Sequence, residues 1–261
     1  MAWKLYEGDC LEIMPLEIED NSIDMILCDL PYGTTACKWD TIIPFKPLWR
    51  EYERIIKDNG AIVLTASQPF TSVLVMSNPK MFKYEWIWNK TRGSNFQNAN
   101  HQPMKSHENI LIFSRNSTKY NPQFWYDKPY KTKERKRNKG IEGLSGGSAS
   151  NYCTSTVSED GKRYPLSIIE YKRDGDRMHP TQKPVKLFEY LIKTYTNEGD
   201  LVLDNCAGSG TTGVACEITN RNSILIEQEP EYCDIIRKRL SEINLDIYNP
   251  VKTHKCLDAF Y

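Results

Sequence analysis

Asp29-Leu30-Pro31-Tyr32 closes the apolar run 23–28 and puts a carboxylate, a backbone carbonyl and an aromatic ring at one strand exit. That set suits the exocyclic amino group of a nucleobase, a poor nucleophile because its lone pair is delocalised into the ring. Hydrogen bonds from its two N–H groups to a carboxylate and a carbonyl favour the tetrahedral, nucleophilic form. Tyr32 can stack on the base once it has left a duplex. Asp29 then orients and stabilises charge, and need not take a proton before attack. Taken alone, such an acid can equally cap a turn, and such a tyrosine can sit at a core edge.

About 175 residues later the chain reads Leu201-Val202-Leu203-Asp204-Asn205-Cys206-Ala207-Gly208-Ser209-Gly210-Thr211-Thr212, a spacing that predicts a strand, a glycine bend and a helix start. Glycine lets backbone pass close to a ligand with no Cβ in the way. A helix opening near Thr211 points free N–H groups at an anion. The segment lacks the lysine of a phosphate-binding P-loop and the third glycine of the dinucleotide fingerprint. Glu227 ends the next predicted strand, where an acid accepts hydrogen bonds from ribose hydroxyls. A ligand with a ribose but no pyrophosphate meets both demands, and S-adenosylmethionine is such a ligand.

These segments need a scaffold that brings strand ends together. Residues 4–7, 23–28, 61–65, 84–88 and 109–113 read as strands, and 47–57 and 69–76 as helices, with Asn59-Gly60 ending the first helix. Helix 185–195, strand 201–204, helix 212–219, strand 223–227 and helix 231–243 follow. Such alternation predicts an α/β fold: a largely parallel sheet with helices on both faces. Between Arg115 and Met178 the period is lost, so one domain with an insertion is expected: 1–114 with 178–245, an insert over 115–177, and a tail over 246–261.

Formal net charge is zero, yet the span 115–178 holds fourteen Lys and Arg against eight Asp and Glu. That asymmetry fits a module facing a polyanion. Eight scattered cysteines without a Cys-x-x-Cys pair, and only four histidines, argue against a zinc site or a disulfide framework. No metal is expected. The first residues carry no signal-peptide pattern and no apolar run approaches the roughly 18 residues of a membrane span. A cytoplasmic protein without membrane contact is the expectation.

On these motifs the chain resembles the DNA amino-methyltransferases, which use S-adenosylmethionine to methylate adenine N6 or cytosine N4. Asp29-Leu30-Pro31-Tyr32 matches their acid-Pro-Pro-Tyr motif, with Leu30 in place of a proline. Asp204 through Thr212 matches their cofactor motif, with Cys206 in place of a phenylalanine. His179-Pro180-Thr181-Gln182-Lys183-Pro184 is similar to a third family element, as are the Gly8-Asp9-Cys10 turn and the strand from His107-Glu108 to Phe113. Catalytic motif first and cofactor motif last is the order of the circularly permuted β class, which implies a Rossmann-like sheet.

The resemblance implies that Asp9, Cys10 and Asp29 meet the cofactor's adenine and amino-acid portions, that His179 and Thr181 lie beside its methionine moiety, and that Glu227 meets its ribose. Asp204, Cys206, Gly208, Ser209, Gly210, Thr211 and Thr212 form the cofactor bend. Asp29 and the Leu30 carbonyl hold the target amino group, with Pro31 and Tyr32 completing the corner. An acid at position 29 implies adenine N6, with cytosine N4 as the alternative. Double-stranded DNA is the implied partner, read by the insert, where Tyr120, Phe124, Trp125, Tyr126, Tyr130, Tyr152, Tyr164 and Tyr171 interleave with the basic run 131–139. Residues 143–158 are expected to order only on DNA. The resemblance also admits a homodimer and a cognate restriction endonuclease. A DNA-binding module that kept the fold without the activity, and methylation of RNA or protein, are the rival readings.

Overall fold

The computed structural model describes residues 2–34, 40–131, 157–174 and 182–243. His179, Thr181, the basic positions 132–139, most of the 143–158 loop and the tail from 244 lie outside the described residues. In chain order the strands are β1 (Trp3–Glu7), β2 (Ile23–Cys28), β3 (Ile56–Ala66), β4 (Phe82–Ser94), β5 (Lys105–Phe113), β6 (Trp125–Tyr126), β7 (Tyr130–Lys131), β8 (Val157–Ser158), β9 (Lys162–Arg163), β10 (Ile168–Glu170), β11 (Leu201–Asp204) and β12 (Asn222–Glu227). The helices are α1 (Cys10–Glu17), α2 (Phe45–Ile55), α3 (Phe70–Ser77), α4 (Val185–Tyr195), α5 (Thr211–Ile218) and α6 (Pro230–Ser241). None of them is long and apolar enough to cross a membrane.

Cα packing divides the chain into two units, residues 1–121 with 167–261, and residues 122–166. The larger unit holds an eight-stranded sheet in the order β1-β12-β11-β2-β3-β5-β4-β10. β2 is buried at all six positions, as a central strand covered on both faces must be. Successive side chains alternate between the faces. Ile26 and Cys28 pack with Met14 of α1, Leu48, Tyr52 and Ile55 of α2, and Phe70 and Leu74 of α3. Met25 and Leu27 pack with Phe188 and Leu191 of α4, Val214 and Ala215 of α5, and Ile236 and Leu240 of α6. Three helices on each face of one sheet give the expected Rossmann-like α/β architecture.

The sheet departs from the expected pattern in three places. β1, β12, β11, β2 and β3 are parallel, but β5 runs antiparallel to both β3 and β4. β4 and β5 are joined as a hairpin, which needs no helical crossover and so reverses direction. Second, β3 starts directly after α2 and runs through Asn59-Gly60, with an irregular register against β2 between Ile23 and Met25. Gly60 is required in that irregularity, because a Cβ there would lie 2.9 Å from the Asp24 carbonyl oxygen and 2.7 Å from Ile56. Third, β10 pairs parallel with β4, placing Ile168 opposite Ile87 and Glu170 opposite Asn89.

The smaller unit, residues 122–166, contains two short antiparallel ladders, β6 with β9 and β7 with β8. Phe124 meets Tyr164 edge-on at 5.0 Å, and the Lys162 ammonium sits 3.7 Å from the Phe124 ring centroid. Arg163 stacks over Tyr130 at 3.9 Å and donates to the Lys128 carbonyl oxygen. Trp125, Tyr126 and Tyr164 remain exposed.

Candidate active site

β2 and β11 are parallel neighbours, with Val202 opposite Met25 and Leu203 opposite Ile26. Asp29 and Asp204 therefore leave the sheet at the same edge, the one at which open α/β sheets hold ligands. β12 adds Glu227 and β1 adds the Gly8 turn there, tied by the Gly8 N–H donating to the Glu227 carbonyl oxygen at 2.9 Å. One cavity of about 860 Å³ borders Asp9, Cys10, the 29–32 corner, Cys206, Gly208, Ser209, Thr211 and Glu227. Gly210 and Thr212 are not among the residues that border it.

At one end of the cavity, Gly210 adopts φ +77° as the N-cap of α5, and no side chain caps that helix. A Cβ at Gly210 would also press on Ile236 at 3.0 Å. Uncapped first-turn N–H groups favour an anion. Glu227 is anchored by the Gly208 N–H at 2.7 Å and the Glu229 N–H at 2.9 Å. Burial raises its pKa against the pull of those N–H donors. Asp9 caps α1 by accepting from the Leu11 N–H at 2.7 Å. Asn205 donates weakly to the sulfurs of both Cys10 and Cys206 and accepts from the Tyr52 hydroxyl at 2.6 Å.

Asp204 also borders the cavity and braces the bend. Its carboxylate accepts from the Thr212 hydroxyl and from the Cys206 N–H at 3.1 Å. Burial pushes its pKa up to about 7, beyond what those donors restore. A carboxyl with a folded pKa above its unfolded value contributes stability below about pH 4, and that contribution is lost as pH rises toward 7. Asp204→Asn removes this dependence. Thermal unfolding of the variant and the wild type should therefore diverge in the variant's favour between about pH 4 and pH 7, by at most about 1.4 kcal/mol per pH unit, and run parallel above that. A pH-independent difference would contradict the assignment.

At the other end stands the Asp29 corner. Its Oδ1 accepts from the Tyr32 hydroxyl at 2.8 Å and from the Thr65 hydroxyl. Its Oδ2 accepts from Lys183 Nζ at 2.5 Å. Phe70 stacks on Tyr32 with ring centroids 5.1 Å apart. Burial raises the Tyr32 phenol far above its ordinary value, and the Asp29 charge adds to this, so it stays a donor. Lys183 belongs to a short stretch before α4 in which Gln182 also accepts from the Ser209 hydroxyl at 3.2 Å. That stretch thus touches both ends of the cavity.

The profile of the N6/N4 methyltransferase family, described as DNA methylase, matches residues 23–238. The chain belongs to this DNA methylase family. Among its relatives, the Type II methyltransferase M.HpaI of Haemophilus parainfluenzae is 30% identical over 241 residues, 87% of this chain and 71% of that protein. The Type II methyltransferase M2.MboI of Moraxella bovis is 29% identical over 276 residues, 96% and 92% of the two chains. Among solved structures, the M1.HpyAVI–SAM complex superposes with a TM-score of 0.59 at 25% identity, covering 91% of this chain and 100% of that one. The cytosine-N4-specific PvuII DNA methyltransferase has a TM-score of 0.66 at 18% identity over 95% and 92% of the two chains, a likeness of fold.

In this DNA methylase the motifs drew attention to the corner but not to its surroundings. Thr65, Lys183, Glu108, Lys90 and Arg173 were not among the expected site residues. Glu108 Oε1 lies 3.1 Å from Lys90 Nζ and 3.6 Å from Arg173, and Glu108 Oε2 lies 3.5 Å from Lys183 Nζ. Lys183 and Glu108 do stand inside family-like segments, so a buried charge in each was the available signal.

Proposed function

We propose that this DNA methylase acts on the N6 amino group of adenine in duplex DNA, with the target base turned out of the helix into the Asp29 corner. The cofactor of the reaction is S-adenosylmethionine. The reading rests on one observation above all: the acid-aromatic corner and the glycine bend open into a single cavity from neighbouring parallel strands. Its size falls within the roughly 300–1,000 Å³ of small-molecule sites.

The residues fit the cofactor. Glu227, buried and fixed at a strand end, suits ribose hydroxyls, and the uncapped α5 start suits a carboxylate. Asp9, Cys10, Asp29, His179, Thr181, Asp204, Cys206, Gly208, Ser209, Gly210, Thr211 and Thr212 complete the assigned set. When bound, S-adenosylmethionine supplies an electrophilic methyl group, whose transfer leaves a neutral thioether and releases one proton from the amino nitrogen. Asp29 accepts one amino N–H and the Leu30 carbonyl the other, which localises the nitrogen lone pair and fixes its direction. Asp29 stays a carboxylate throughout, and the proton passes to water. Phe70 occupies one face of Tyr32, so the base is assigned to the other face.

The smaller unit is assigned to DNA reading. Exposed Trp125, Tyr126 and Tyr164 beside Lys128, Lys131 and Lys162 combine stacking surface with phosphate neutralisation. Five free cysteines among the described residues suit the reducing cytoplasm in which cellular DNA is met.

The test is transfer of radiolabelled methyl from S-adenosylmethionine to duplex DNA, followed by mass spectrometry of the digested nucleosides. N6-methyladenine is expected. N4-methylcytosine would move the assignment to the other amino group, and no incorporation into DNA that the protein binds would overturn it.

A further inference from the structure

We propose that Lys183 is the positioning cation of the Asp29 corner, and that Glu108 receives it when the target amino group takes Asp29 Oδ2. The inference rests on the methyl-transfer reading above and concerns the contacts that the arriving base must rearrange.

The Asp29 carboxylate is crowded. Two hydroxyls occupy Oδ1, and the Lys183 ammonium occupies Oδ2. A carboxylate oxygen offers about two acceptor directions, so the two hydroxyls fill Oδ1 and an incoming amino N–H is directed to the remaining direction of Oδ2, where it must share that oxygen with the Lys183 ammonium. The competition is also electrostatic. The amino nitrogen gains positive charge as its bond to the methyl carbon forms, and an ammonium against the same oxygen opposes that gain.

Glu108 supplies the relief. It is 8% exposed, and its Oε2 is buried without a hydrogen bond among the described residues. That oxygen lies 3.5 Å from Lys183 Nζ. Closing such a gap to about 2.8 Å, the length of a charge-assisted bond, takes less than about one ångström of side-chain movement. Oε1 is already held by Lys90, so the carboxylate stays in place while the cation changes partner.

Lys183 is 7% exposed and cannot carry its charge there unpaired. Burial alone would lower its pKa, but Asp29 and Glu108 outweigh burial and hold the ammonium above its ordinary value. It is therefore no base. A buried ion pair contributes little net stability, so the charges gathered around one open acceptor (Asp29, Lys183, Glu108 and Lys90, with Arg173 3.6 Å from Glu108) are better explained by an exchange than by folding. The groups facing Asp29 are Tyr32 of its own corner, Lys183 before α4, Glu108 of β5 and Asp204 of β11. Of these, Lys183 is the one that carries positive charge.

The test is a double-mutant cycle of Glu108→Gln and Lys183→Gln. It is read as the single-turnover methyl-transfer rate on saturating duplex DNA. Cofactor affinity by calorimetry and the fluorescence of 2-aminopurine at the target position are measured alongside. Glu108→Gln is expected to slow transfer about tenfold while calorimetric affinity changes less than about twofold. Lys183→Gln should slow transfer while 2-aminopurine fluorescence still reports an extruded base, because the Asp29 carboxylate then lacks the cation that holds Oδ2 in place. In that background Glu108→Gln should cost less than about twofold, since no cation is left to receive.

Equal costs of Glu108→Gln in both backgrounds would overturn the exchange, as would wild-type behaviour of Glu108→Gln alone. The second result decides even if Lys183→Gln fails to fold. A wild type inert on DNA, or indifferent to loss of Asp29, would instead overturn the methyl-transfer reading.

Discussion

Asp29→Ala is expected to reduce methyl transfer on the order of 10²–10³-fold, the effect of removing one preorganised polar group from a reacting centre. The side chain gathers the Tyr32 and Thr65 hydroxyls and the Lys183 ammonium on two oxygens, so alanine removes both the acceptor and the reason those donors converge. The fold should survive, because Lys183 keeps Glu108 within 3.5 Å and Asp29 is partly exposed at 22%. Asp29→Asn should fall between the two, keeping one acceptor but presenting N–H groups to a cation or to two hydroxyl donors. Single-turnover transfer of labelled methyl, with circular dichroism to verify folding, decides the matter. A folded alanine variant with the wild-type rate would remove Asp29 from the reaction.

Trp88→Ala should cost about 3–5 kcal/mol of stability, the range for emptying a buried tryptophan site. For a chain of this length that corresponds to a fall in Tm on the order of 10 °C. Trp88 is fully buried between the sheet and α4 in the cluster containing Phe188 and Leu191. Its indole N–H donates to the Tyr171 carbonyl oxygen at 2.8 Å, which loses its partner as well. Trp88 also borders the cavity, so cofactor affinity should weaken with the melting temperature. Trp88→Phe should recover most of the volume but not the hydrogen bond. A change of less than about 1 kcal/mol for the alanine variant would show that the surrounding helices collapse onto the site.

Where side-chain period and burial agree, sequence and structure coincide. β11 and α4 match their expected bounds, because a short apolar run and an amphipathic repeat each have one stable placement against a covered sheet. α1 had no such signal: it carries Pro15 and exposes Leu16, and its start is specified by the Asp9 cap. β10 was hidden by its three residues, too few to establish a period inside a polar, basic stretch. The start of β3 was hidden because Ile56 ends one pattern and begins the next.

The candidate site divides along the same line. Asp29, Tyr32, Asp204 and Glu227 are legible because each follows an apolar strand at the edge where ligands are held. Lys183 and Glu108 are not, since their meeting with Asp29 joins three segments remote in sequence, and no local pattern encodes that convergence. The direction of β5 was equally invisible: a hairpin and a crossover leave the same apolar string.

β10 bears on any attempt to transplant a reading module into this scaffold. Thirteen-residue β4 would otherwise present a row of unsatisfied amides and carbonyls to solvent, an invitation to self-association. The short strip Ile168–Glu170 shields part of that row. A donor cassette exchanged for residues 122–166 should therefore be spliced ahead of Ser167, leaving the shielding strip with its host. A splice beyond Glu170 would yield a protein whose failure is precipitation, whatever the merit of the grafted reader.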